Sequence, residues 1–318
     1  MKITVLDAFG LNQGDLNFKE FEKFGEVVCY DITPQEEVVA RSRGSEVLFT
    51  NKTKITAAML RQLPEVKYIG ILATGFNVVD VKEAGRLGIT VTNIPAYSTM
   101  SVAQKVFELL LAIVGRAEHY AEENSRLRWA RSPHFFYWDF PLHELAGKRF
   151  GIVGFGNTGK ATARIAAAFG MQVCLFTSKA QEEFPAGYEK VETLDELFST
   201  CDVVSLNCPL TADNALMVDA RRLALMKPTA ILINTARGGL VDEEALALAL
   251  DDETIYAAGL DVMTQEPPAE DNPLFTARNC FVTPHIAWAT EEARRRLLTV
   301  AFDNLAAWAD GHPVNVVS

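Results

Sequence analysis

Short apolar segments rich in Val and Ile recur along this chain, most of them separated by stretches of helical character. In the first hundred residues they read ITVLDA, EVVCYD, EVLFT, VKYIGIL and GITVTN; from Lys148 they read KRFGIVGFG, MQVCLFT, DVVSLNCP, AILINTA, IYAAGLDV and CFVTPHI. Runs that are apolar throughout must be covered on both faces, and parallel strands need crossovers long enough to hold a helix. The pattern predicts an α/β fold with two doubly wound parallel sheets, one in each half. At 318 residues the chain is long for a single core; roughly 150 residues per domain gives about two domains, with a cleft between them.

Charge narrows the partners. Thirty Lys and Arg against 41 Asp and Glu leave a formal net charge of -11. That field repels phosphate backbones and anionic headgroups, so neither a nucleic acid nor a membrane is an expected partner. A small anion must then be held by local Arg, Lys or backbone N–H groups. Five scattered cysteines without a CxxC pair fit reduced thiols. The opening MKITVLDAFG enters a strand pattern directly, and the apolar run at 109–114 is far too short to span a bilayer. A cytoplasmic protein is expected.

Residues 101–120 carry apolar side chains at helical spacing, with Ser98, Thr99 or Ser101 placed to cap the start, and predict one long buried helix. Over 122–145 neither helical nor strand period holds, and the aromatic-rich RWARSPHFFYWDFPLHEL predicts an ordered irregular segment packed on something else. A last helix is predicted over 290–310, stopped by Gly311, His312 and Pro313.

The stretch GIVGFGNTGK places Gly154, Gly156 and Gly159 between the strand RFGIV and a helix over 158–169, followed by a second strand, QVCLFT. In that context the glycines predict a turn whose backbone approaches a dinucleotide pyrophosphate, with the helix N-terminus supplying N–H donors. An acidic residue about 20 positions on would hold the ribose 2′-hydroxyl of NAD. Thr177, Ser178 and Lys179 stand there instead, which favours NADP(H) over NAD(H); if Lys179 is only a solvated loop charge, either cofactor serves.

Later strand ends gather chemistry. NTARGG from Asn234 puts Arg237 between a strand and a Gly-Gly turn, GLDVMTQEPP puts Asp261 at a strand end and Glu266 in the next loop, and VTPHIAW puts His285 just after another strand. Carboxyl ends of strands line the ligand crevice in open α/β sheets. Of the five histidines, only His285 occupies such a position.

These blocks, with NPLF from Asn272 and with ATGFNVVD and NIPAYSTMSVAQ in the first half, resemble the D-isomer-specific 2-hydroxyacid dehydrogenases over essentially the whole chain. The resemblance implies a catalytic trio of Arg237, Glu266 and His285. It implies cofactor contacts at Asn157 and Thr158 in the phosphate turn, at Cys208, Pro209 and Asn214 toward the adenosine, at Thr235 and Ala236 beside the nicotinamide, and at Asp261 on its carboxamide. Thr177 matches the position where NAD-preferring members carry Asp. The resemblance also redraws the domains: a flavodoxin-like substrate domain of 1–98 plus 288–318, interrupted by a Rossmann cofactor domain of 99–287. It implies a homodimer through the helix near 101–120.

The implied chemistry is hydride transfer between NAD(P)H and a small 2-keto acid. Arg237 offers a planar charged fork for the substrate carboxylate and carbonyl, and the loop at Ala73, Thr74 and Gly75 offers N–H groups to the same carboxylate. His285 is the expected proton donor, with Glu266 orienting its ring. The segments ATGFNVVD, NIPAYST, SPHFFYWDFPL and TPHIAWAT look most like glycerate dehydrogenases, also called hydroxypyruvate reductases. Hydroxypyruvate or glyoxylate is the expected substrate, with D-lactate dehydrogenase and a dinucleotide-sensing corepressor-like protein as alternatives.

Overall fold

The computed structural model describes residues 1–318 as two compact units, Met1–Ser98 with Trp288–Ser318, and Thr99–Ala287. The first unit is built on β1 (Lys2–Val5), β2 (Glu26–Cys29), β3 (Val47–Thr50), β4 (Tyr68–Ile71) and β5 (Thr90–Thr92), in the order β2-β1-β3-β4-β5. Every pairing is parallel. The central strands β3 and β4 are buried at every position, as strands covered on both faces must be. At Gly70 an added Cβ would lie 2.2 Å from the Phe49 ring, so the missing side chain is what lets that ring lie over the neighbouring strand. The helix Glu291–Ala309 is capped by Thr290, which accepts from the Ala293 N–H, and buries Leu297, Ala301 and Leu305 among Phe21, Phe49 and Tyr68.

The second unit holds β6 (Arg149–Val153), β7 (Gln172–Phe176), β8 (Glu189–Lys190), β9 (Val203–Leu206), β10 (Ile231–Asn234), β11 (Ala257–Leu260) and β12 (Cys280–Val282). Their order is β12-β11-β10-β9-β6-β7-β8, all parallel. The chain therefore winds one way from β6 and the other way from β9, and this reversal is where open sheets bind ligands. Register completes the alignment: Val153 pairs with Leu206, Leu206 with Asn234, Asn234 with Leu260, and Leu260 with Val282. The loops after five strands leave the sheet from one edge. Residues spread over more than a hundred positions become neighbours there.

Two expectations are corrected. The single helix predicted over 101–120 is two, Thr99–Gly115 and Ala117–Ser125, because Arg116 takes the left-handed conformation with φ 50°. The Arg116 guanidinium lies 5.0 Å from the Phe140 ring centroid and 4.8 Å from that of Phe281, and donates to Asn279 at 2.7 Å. These partners from distant parts of the unit hold the break. The apolar pattern also omits β8, whose two residues are too few to carry one. After Ser125 the aromatic segment forms no regular element, and it leaves Phe135 86% and Trp138 63% exposed. No helix is long and apolar enough to cross a membrane.

Candidate active site

The glycine turn joins β6 to the helix Asn157–Ala168. Gly154 has φ 95°, and a Cβ there would lie 2.9 Å from the Asn207 carbonyl oxygen. At Gly159 a Cβ would lie 2.1 Å from the Gly154 oxygen, so this glycine lets the first helical turn rest on the strand turn. Gly156 is the N-cap, carries no side-chain cap, and would direct a Cβ into open space. An uncapped helix N-terminus beside open space, with Asn157 exposed and Thr158 half-buried next to it, fits a pyrophosphate.

At the end of β7, Thr177 accepts from the Lys179 N–H at 3.4 Å, and Ser178 is exposed. No carboxylate occupies the turn. After β9, Asn214 accepts from the Thr211 N–H at 2.7 Å and donates to the Pro209 carbonyl at 2.8 Å, closing the 208–214 loop on itself. Burial pushes the Cys208 thiol up, which keeps it protonated within that loop. After β10, Asn234 accepts from the Ala236 N–H at 3.0 Å and donates to the Arg237 carbonyl at 2.9 Å, fixing the turn from both ends. The Thr235 hydroxyl is buried without a hydrogen-bond partner from the chain.

Arg237, Glu266 and His285 line one open cavity of about 200 Å³, together with Leu210, Gly238, Gly239, Val262, Met263 and Thr264. His285 Nδ1 lies 2.7 Å from Glu266 Oε2, and the other oxygen, Oε1, accepts from the Met263 N–H at 3.1 Å. The imidazole is therefore tethered by its inner nitrogen. His285 itself has φ 53°. A non-glycine residue held in that region is strained, and such strain collects at functional sites. Arg237 is exposed, its guanidinium donating to the Ala236 carbonyl at 2.6 Å.

Asp261, expected beside a nicotinamide carboxamide, makes three hydrogen bonds within the chain. Asp261 is fully buried, and its carboxylate accepts from the Thr283 hydroxyl at 2.6 Å, the Ile286 N–H at 3.0 Å and the Ala287 N–H at 2.8 Å. Burial raises its pKa, and these three donors oppose that rise. A carboxylate so placed braces the backbone that carries His285. Ala73, Thr74 and Gly75 lie in the other unit, after β4, where Asn51 donates to the Leu72 carbonyl at 2.5 Å and Asn93 to the Thr74 carbonyl at 2.8 Å. Leu210, Met263 and Thr264 were not legible as lining residues. Gly238 was the available signal: a glycine directly after Arg237 marks a close backbone approach.

The family model for the D-isomer specific 2-hydroxyacid dehydrogenase NAD binding domain matches residues 107–287. A hydroxypyruvate reductase from Blautia hydrogenotrophica is 42% identical over all of both chains. A glycerate dehydrogenase from Methylorubrum extorquens is 42% identical over 99% of this chain and 98% of its own. Among solved structures, a putative D-isomer specific 2-hydroxyacid dehydrogenase from a Polaromonas species superposes with a TM-score of 0.89, at 28% identity, over 100% of this chain and 99% of that one.

Proposed function

The chain belongs to the D-isomer specific 2-hydroxyacid dehydrogenases, whose reaction interconverts 2-keto and 2-hydroxy acids, and from that membership we propose that it reduces hydroxypyruvate or glyoxylate through Arg237, Glu266 and His285. The observation that carries this reading is the cavity lined by all three side chains, with the imidazole tethered at 2.7 Å by Glu266. The names of the two relatives at equal identity favour hydroxypyruvate, and pyruvate stands second.

The Gly154, Gly156 and Gly159 turn would hold the pyrophosphate of a nicotinamide dinucleotide, which when bound would supply the hydride that reduces the keto carbon. What the chain supplies is position, charge and a proton. Arg237 is permanently charged and planar, and its exposed fork can take the substrate carboxylate and the carbonyl oxygen together. As the carbonyl becomes an alkoxide, the same guanidinium stabilises the developing charge. Because Glu266 holds Nδ1, the outer Nε2 of His285 faces the task of delivering the proton. Glu266 fixes the orientation of the ring.

Thr177, Ser178 and Lys179 offer hydroxyls and an ammonium where a carboxylate would repel a 2′-phosphate, so the chain favours NADP(H). The exposed Phe135, Phe136 and Trp138 favour a homodimer that covers them.

The test is nicotinamide oxidation with hydroxypyruvate, glyoxylate and pyruvate, each with both cofactors. The expected result is the highest kcat/KM on hydroxypyruvate with NADPH. Dinucleotide binding without turnover on any of the three would overturn the enzyme reading in favour of a sensor.

A further inference from the structure

The loop that carries Glu266 is held from behind by an acid that no motif assigns to the reaction. Glu243 stands in the first turn of the helix Glu243–Asp251, which is capped by Asp242 accepting from the Ala245 N–H. Glu243 Oε1 accepts from the Thr264 N–H at 2.5 Å, and Oε2 accepts from Asn272 Nδ2 at 2.7 Å. Asn272 in turn accepts from the Leu274 N–H at 3.0 Å through Oδ1. One carboxylate thus joins the near end of the 263–266 loop to the short turn that follows it. On the other side Gly238 lies against the same loop, since a Cβ there would be 2.0 Å from the Met263 carbonyl carbon.

A chain of hydrogen bonds therefore runs from Glu243 to the cavity. Glu243 fixes the Thr264 peptide; the preceding Met263 N–H donates to Glu266 Oε1; Glu266 Oε2 holds His285 Nδ1. A carboxylate with both oxygens taken by fixed donors is a more rigid anchor than a neutral amide. We propose that Glu243, through Thr264 and Asn272, is a positioning residue for the Glu266–His285 pair, which sets how accurately the imidazole is held during proton transfer. This rests on the catalytic reading of Glu266 and His285 given above.

The donor and acceptor pattern supplies a sharp test. Glu243→Gln leaves an oxygen for Thr264 but turns an amide NH2 toward the NH2 of Asn272; flipping Asn272 would strip the Leu274 N–H of its acceptor. Asn272→Asp sets two carboxylates face to face. When Glu243→Gln and Asn272→Asp are combined, the new amide at position 243 accepts from Thr264 and donates to the new carboxylate at position 272, whose other oxygen accepts from Leu274. Every bond is restored with one negative charge as before.

The experiment measures kcat, KM for keto acid and cofactor, the pH profile of kcat, and the thermal midpoint for both single variants, the double variant and Glu266→Gln. Each single variant is expected to lose roughly tenfold to hundredfold in kcat, as misplacement by about an ångström does, with a displaced pH profile and cofactor KM within about threefold. The double variant is expected to recover most of kcat and the original profile. If Glu266→Gln collapses kcat while both single variants turn over normally with the original pH profile, positioning by Glu243 is wrong. Loss of kcat that follows the thermal midpoint alone, with no displacement of the profile and no recovery in the double variant, refutes it as well. If Glu266→Gln is itself normal, the reading of the pair fails first.

Discussion

Gly238 lies between Arg237 and the wall of the cavity, and replacing it with alanine tests how closely the two halves of the trio are joined. A Cβ at this position would sit 2.0 Å from the Met263 carbonyl carbon, 2.2 Å from its oxygen and 2.3 Å from the Thr264 nitrogen. Ordinary carbon contacts are about 3.5–4.0 Å, so the two backbones must part by about 1 Å or more. All three atoms are main chain, and no change of rotamer relieves the clash. The same movement takes Arg237 away from Glu266. Overpacking of this kind costs about 1–3 kcal/mol of stability, and a displacement of about 1 Å costs on the order of a hundredfold in turnover. Gly85→Ala is the control: it lies in the helix Val81–Arg86, and its Cβ would meet Ser318 at an ordinary 3.6 Å. That change should be neutral or stabilising by about 0.5–1 kcal/mol. Thermal midpoints and steady-state kinetics with hydroxypyruvate report both quantities. The reasoning is refuted if Gly238→Ala matches Gly85→Ala in midpoint and in kcat/KM.

Cofactor choice should respond to one charge. Thr177→Asp is expected to lower kcat/KM for NADPH relative to NADH by roughly tenfold, about 1.4 kcal/mol, and an unchanged ratio would remove the argument from this turn. In the first unit, Asp15 accepts from Arg294 at 2.8 and 2.6 Å, and this pairing lowers its pKa from the ordinary 3.8 to about 2. A depressed pKa means that the stabilisation is fully present above the ordinary value and is lost as pH falls from 3.8 towards about 2. Asp15→Asn should therefore lower the thermal midpoint near neutrality, with the difference from wild type shrinking at about pH 3; a constant difference would show that charge is not its cause. For the subunit contact, Phe135→Ser with Trp138→Ser should shift sedimentation from dimer to monomer, whereas a wild-type dimer in that variant would place the contact elsewhere.

Much of this was legible because the relevant physics is local. Doubly buried strands announce themselves as unbroken apolar runs, and parallel pairing follows from the helical segments between them. The glycine turn was legible because close backbone approach excludes side chains at Gly154 and Gly159. That Arg237, Glu266 and His285 would meet was legible because each lies in a loop that follows a strand, and register brings those loops to one edge. What escaped depends on contacts that spacing does not encode. The break at Arg116 is held by Phe140, Phe281 and Asn279, none of which its neighbours predict. The 283–287 segment that folds over Asp261 and donates to both of its oxygens is equally invisible in the spacing. Glu243 reads as an ordinary acid in a first helical turn until the Thr264 loop is seen against it.

The central claim is that His285, held by Glu266, delivers the proton that completes reduction of the keto acid. The most direct measurement is the single-turnover rate of His285→Ala with hydroxypyruvate, alongside cofactor affinity by nicotinamide fluorescence. The account predicts a rate lower by roughly a hundred- to ten-thousand-fold, the usual contribution of a general acid, with cofactor binding retained. A near wild-type rate in that variant would contradict it.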